Sequence, residues 1–180
     1  MPRKVIRSII FVIFITVFMS NIAYAQIPAK SQPFGPKVSE LQNKEDILDS
    51  LEQIKKIRAN LTVINVKPTT PAEELKTIDT NLERYIKQLR IIRANLVKHA
   101  DTYENSISDV FFSEQIVAIA DCYIISLKHQ QLLVRSIENN VEEASTLFYS
   151  TYMIPIYYYI TQGDQLVAYT QTYMVISWWI

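Results

Sequence analysis

The sequence predicts an all-α protein: an elongated antiparallel helical bundle of three long helices with coiled-coil-like seams, followed by an aromatic-rich C-terminal helical hairpin. Three observations carry that expectation. Apolar residues recur at spacings of three and four over long stretches, as they do where one helix face is buried against another. No Pro or Gly occurs in residues 72–154, although the chain of 180 residues has seven prolines and two glycines. Helix-start signatures, in which a Ser or Thr stands three residues before an acid or amide, precede the periodic segments.

The first element is a leader. Arg3, Lys4 and Arg7 precede an apolar run over residues 9–19, and Ala23-Tyr24-Ala25 supplies a small-x-small end. This is the three-part layout of a secretory signal peptide, with cleavage expected after Ala25. The apolar run falls short of the roughly 20 residues of a membrane-spanning helix. No Cys follows it to carry a lipid anchor. Residues 26–38 hold Pro28, Pro33, Pro36 and Gly35 and read as a Pro-rich linker. The 155 residues from Gln26 onward suffice for one domain with its own core.

The bundle is expected over residues 39–154. Ser39-x-x-Gln42 predicts the start of a first helix ending near Asn65, since Pro68 and Pro71 stop it from continuing. Thr70, Pro71 and Glu73 predict a second start, with Thr70 as the cap and Pro71 in the first turn. The polar cluster over residues 101–109 predicts a turn, and Ser106 with Asp109 caps a third helix. On that helix Ile116, Ala120, Tyr123, Leu127, Gln130, Val134, Ile137, Val141, Ala144 and Phe148 form one unbroken seam. Gln130 on the seam reads as a register or partner-choice device. Pro155 is expected to kink or end the helix. Gly163-Asp164 is expected to turn the aromatic segment, residues 155–180, into a hairpin packing on or extending the bundle.

The pentapeptide IRANL occurs at residues 57–61 and again at 92–96. The copies lie 35 residues, or five heptads, apart, so both have the same phase. Ile and Leu then face a partner helix, Arg flanks the seam, and Ala and Asn point outward. A scaffold role explains this without any ligand. A functional role would make Arg58 and Arg93, each with a cation one turn earlier, a duplicated basic face for an acidic partner.

Charge excludes some classes. Without the leader, 15 basic residues face 18 acidic ones, a net of −3, which offers nothing to nucleic acid. Residues 26–98 carry 13 basic and 9 acidic groups, whereas residues 99–180 carry Lys128 and Arg135 against 9 acids, so the two halves attract. Cys122 is the only cysteine. It reads as a small apolar core residue, with an intermolecular disulfide as the alternative. His99 and His129 fall at different heights in the predicted bundle and cannot share a metal. With two distant glycines there is no phosphate loop or nucleophile elbow. Adjacent Glu142 and Glu143 point about 100° apart on a helix and make no acid/base pair. No catalytic residue, cofactor or metal ligand is assigned.

Residues 144–180 carry one charge, Asp164, and ten aromatics. Tyr152, Tyr157, Tyr158, Tyr159, Tyr169, Tyr173, Trp178 and Trp179 are the candidate interaction residues, because Tyr and Trp anchor interfaces. The expectation is a non-enzymatic exported subunit of a bacterial envelope or secretion-type assembly, periplasmic or at the cell surface. It docks on envelope protein partners, or on further copies of itself, through the aromatic end. One alternative is a membrane-active protein whose C-terminal hairpin inserts into lipid. A second is a bundle holding an apolar ligand or haem, with Met153 or Met174 as a haem partner for a histidine.

Overall fold

The computed structural model describes residues 35–64 and 66–178. The predicted signal peptide, the linker before Gly35, Asn65 and Trp179 lie outside the described residues. Residues from Gly35 onward form one unit. Of the described residues 85% are helical and none is in a strand. The helices are α1 (Lys44–Asn60), α2 (Ala72–Thr102), α3 (Ile107–Asn139), α4 (Val141–Thr146) and α5 (Ile154–Trp178). A 3-10 turn, Val38–Glu40, precedes α1, and a π-helical segment, Phe148–Met153, joins α4 to α5.

Helix α3 is central. It packs most extensively against α2 and α5, and also against α1. Side-chain bonds fix the directions: His99 near the end of α2 meets Asp109 at the start of α3, while Gln131 far along α3 reaches Asp79 near the start of α2. The two therefore run antiparallel. Tyr123 of α3 meets Asp164 of α5, and Phe111 at the start of α3 meets Tyr173 near the end of α5, so this pair is antiparallel as well. The predicted seam of α3 is buried from Ile116 through Ala120, Tyr123, Leu127, Gln130 and Val134 to Ile137. Both copies of IRANL show the predicted phase, with Ile57, Leu61, Ile92 and Leu96 buried and Ala59, Asn60, Ala94 and Asn95 exposed.

Several boundaries differ from expectation, each for a local reason. Ser39 lies inside the 3-10 turn, and α1 starts at Lys44, with Asn43 bonded to Asp46. The backbone before α1 is instead held by α3: Ser108 accepts from the Lys37 N–H and Asp109 from the Gln42 N–H. Helix α1 stops at Asn60 because Leu61 is extended, and Arg58 donates to its carbonyl. Thr70 accepts from the Lys67 N–H and closes the loop, so Pro71 becomes the residue flanking α2. Ser106 caps α3 as predicted.

The long seam breaks at Asn140, whose side chain accepts from the Glu143 N–H and starts α4. A short amide there competes with the helix for its own backbone. Val141 is left 40% exposed in consequence. Pro155, which lacks an N–H, sits in the first turn of α5, where the preceding backbone has already switched to π winding.

In place of a hairpin at Gly163-Asp164, α5 runs unbroken through both residues. Tyr123 explains the glycine: a Cβ at position 163 would lie 2.6 Å from its ring. Position 163 therefore serves close helix approach. Ile156, Gly163, Thr170 and Ser177 repeat every seven residues and are all buried. Gly163 lets α5 lie close on α3 at Tyr123, while Ser177 meets the 3-10 turn at Val38.

Candidate interaction surface

The C-terminal aromatics divide between two sides of α5. Tyr152, before the helix, is buried. Tyr159 is half-buried and stacks on His129, ring centres 6.4 Å apart. Tyr173 is half-buried against Phe111 and Phe112 at 5.4 and 5.9 Å. Tyr157, Tyr158 and Tyr169 point outward, with Ile154, Val175 and Ile176 on the same side. Exposure of these six ranges from 44% at Ile176 to 66% at Ile154, too high for core residues. Trp178 closes α5.

Helical spacing makes one stripe of that side. Positions 154, 157, 158, 161, 165, 168, 169, 172, 175 and 176 recur at three and four and lie on one face of a 3.6-residue helix. Thr161, Gln165, Ala168 and Thr172, the polar and small members, are exposed too. The stripe thus combines Ile, Val and Tyr toward its ends with hydroxyl and amide groups in the middle, and it contains no charge. The sequence singles out the tyrosines, but a hairpin at Gly163-Asp164 would not place Ile154, Gln165, Val175 and Ile176 beside them as the single helix does. Their three-and-four spacing becomes a signal only once α5 is known to be one helix.

Asp164, the single charge of α5, flanks this face and is engaged inward. Arg58 grips it with two bonds, Nε to Oδ1 at 2.7 Å and Nη2 to Oδ2 at 2.8 Å, and the Tyr123 hydroxyl donates to Oδ1 at 2.8 Å. Burial would raise the Asp164 carboxyl, but the Arg58 and Tyr123 bonds outweigh it and hold the group below the usual carboxylate range. Burial and the bond to Asp164 push the Tyr123 hydroxyl well up.

Arg93 pairs with Asp121 at 2.8 Å. Each arginine of the repeat therefore joins a basic-half helix to an acid of the other half. Of the two arginines expected to flank the seam, Arg58 is held by Asp164 and Arg93 by Asp121.

A polar cleft of about 400 Å³ opens between α1 and the end of α2, lined by Asn43, Asp46, Asp49, Asn95 and His99 among others. His99 is buried, with Nε2 2.8 Å from Asp109. Asp109 also takes the Gln42 N–H and the Ser106 hydroxyl, so it acts as acceptor and Nε2 carries the proton. This cluster ties three segments together at one end of the molecule. A smaller apolar cleft of about 220 Å³ lies beside Val66, Ile137, Ala144 and Phe148. It falls below the roughly 300–1,000 Å³ of small-molecule sites.

Cys122 is half-buried, and burial together with the Asp121 carboxylate pushes its thiol up, away from the reactive thiolate. Among the described residues no cluster of three or more His, Cys, Asp or Glu could hold a metal ion. Compared with protein-family models, curated proteins and solved structures, the chain matches none.

Proposed function

We propose that the protein is a non-enzymatic, exported structural or interaction subunit that acts in the periplasm or at the cell surface and docks through α5. The observation that carries this reading is the uncharged outer face of α5, where three tyrosines and three aliphatic residues stand exposed in one stripe. Water solvates such a stripe poorly, and burying it against a partner recovers the hydrophobic contribution. Tyrosine suits the role because its ring buries large area with few rotamers while its hydroxyl finds a partner.

The leading alternative, insertion of the C-terminal segment into lipid, competes for the same face. Among the described residues, the helix long and apolar enough to cross a membrane is α3, half of that window already buried inside the protein. The hydroxyls and amide of the α5 face favour a protein partner over the hydrocarbon of a bilayer.

Envelope fractionation tests the choice, with full-length protein and a full-length variant carrying Tyr158→Asp and Tyr169→Asp at two exposed positions of the face. Docking predicts co-migration with a larger protein assembly, lost in the variant while its helical circular dichroism is kept. Resistance to carbonate washing, with binding to protein-free liposomes, would replace docking by insertion.

A further inference from the structure

We infer that the polar cleft between α1 and the end of α2 binds a small organic ligand through a primary ammonium group. This goes beyond docking through α5 and does not depend on it.

His99 forms part of the cleft wall, with its side chain only 5% exposed. Its Nε2 proton goes to the buried Asp109 carboxylate, which fixes the ring and leaves the Nδ1 lone pair for another partner. Nδ1 stands 3.9 Å from Oδ2 of Asp46, a second residue of the cleft, too far for a hydrogen bond. An imidazole lone pair and a carboxylate are both acceptors. What the pair lacks is a donor between them.

Spacing decides which donor fits. A nitrogen about 2.8–2.9 Å from each acceptor would see them roughly 85–90° apart, an angle that two N–H groups of one ammonium can span. A metal ion at about 2.0–2.1 Å would see them roughly 140° apart, well outside the tetrahedral arrangement of zinc sites. Charge then favours an ammonium over a water molecule. Asp46 and Asp49 lie three residues apart on α1, so both face the cleft, and Lys98 is the single Lys or Arg that lines it. Asn43 and Asn95 add amides for the rest of the ligand. The volume of about 400 Å³ lies inside the range of small-molecule sites.

The test uses the purified, nitrogen-15-labelled full chain in about 0.15 M NaCl, which screens loose attraction to surface acids. The probe is putrescine, whose two ammonium groups match the two carboxylates, and the control is 1,4-butanediol, of equal length and no charge. Putrescine should shift the His99 ring resonances and the Asn43 and Asn95 side-chain amides along one saturable curve, while butanediol leaves them in place. Asp46→Asn and Asp49→Asn should each weaken binding roughly tenfold, the loss of one charge-assisted bond. Their helical circular dichroism should match wild type, since both positions are exposed.

No saturable shift, equal shifts from butanediol, or unchanged affinity in both Asp variants would overturn the inference. So would zinc chloride saturating the same resonances at a lower concentration than putrescine, which would make the cleft a metal site. The Tyr158→Asp, Tyr169→Asp chain should bind putrescine as wild type does, so failure of the cleft and failure of α5 docking are read separately.

Discussion

Gly163 and Asp164 show how much two adjacent residues can decide. The glycine admits the Tyr123 ring, and the aspartate then receives the Tyr123 hydroxyl and the Arg58 guanidinium. Gly163→Ala would improve helix propensity by about 1 kcal/mol, but its Cβ would overlap the buried ring, at a cost of about 1–3 kcal/mol. The expected outcome is a net loss of stability, read as a lower denaturation midpoint in urea.

Asp164→Asn keeps the shape and removes the charge. It should cost roughly 1 kcal/mol, because the Arg58 pair is part-exposed and screened. The pH dependence follows from the direction of the shift. A carboxyl depressed in the folded state stabilises above its unfolded value, near ~3.9, and that contribution is lost as pH falls through the folded value. Asp109 is depressed too: burial raises it, but bonds from Ser106, the Gln42 N–H and His99 outweigh that. Thermal stability should therefore hold from neutral pH to about pH 5 and fall below about pH 4. The Asp164→Asn variant should show a smaller acid decline, and an unchanged one would refute the assignment.

At the scale of the element, both IRANL segments bury their Ile and Leu in the core. Ile57→Asp or Ile92→Asp should unfold or loosen the domain by burying an unpaired charge, several kcal/mol in effect. Arg93→Gln should change the melting temperature little, since its pair with Asp121 is about 40% exposed on both sides. Arg58→Gln should cost more than Arg93→Gln, because Arg58 makes two bonds to Asp164 and a third to the Leu61 carbonyl.

These elements were legible to different degrees. Seams on α1, α2 and α3 could be read from periodicity, because long helices repeat one packing solution. The Ser106 cap could be read because a hydroxyl three residues before Asp109 satisfies the backbone locally. The unbroken α5 could not. Glycine followed by aspartate signals a turn wherever nothing is known of the far side of the molecule. Here the far side is Tyr123, 40 residues earlier in the chain. The break at Asn140 was hidden for the opposite reason, since apolar spacing continued across it while a single amide ended the helix. Three of the ten positions of the exposed stripe stood out in the sequence as tyrosines, but their outward direction depended on α5 being one helix.

For the molecule as a whole, the basic and acidic halves meet through Arg58 with Asp164 and Arg93 with Asp121. Far-ultraviolet circular dichroism should show helix over well more than half of the mature chain, and a strand-dominated spectrum would end this description. Export predicts Gln26 as the first residue of the mature protein, checked by N-terminal sequencing of the envelope fraction. Ending the chain at Ala144 removes α5 and should expose the apolar side of α3, including Phe112, Ile116 and Ile119, giving aggregation.

The closure beside the 3-10 turn sets a timetable. The buried Val38 donates its N–H to Ser177, in the last turn of α5, across 139 positions of sequence. A ribosome must therefore release α5 before this corner can form, and long-range closure of that kind is slow. Until then the side of α3 that α5 covers stays open to any chaperone or translocation channel that holds unfolded polypeptide. Val38 leaves the ribosome long before Ser177 and is, at this corner, among the last residues to be fixed.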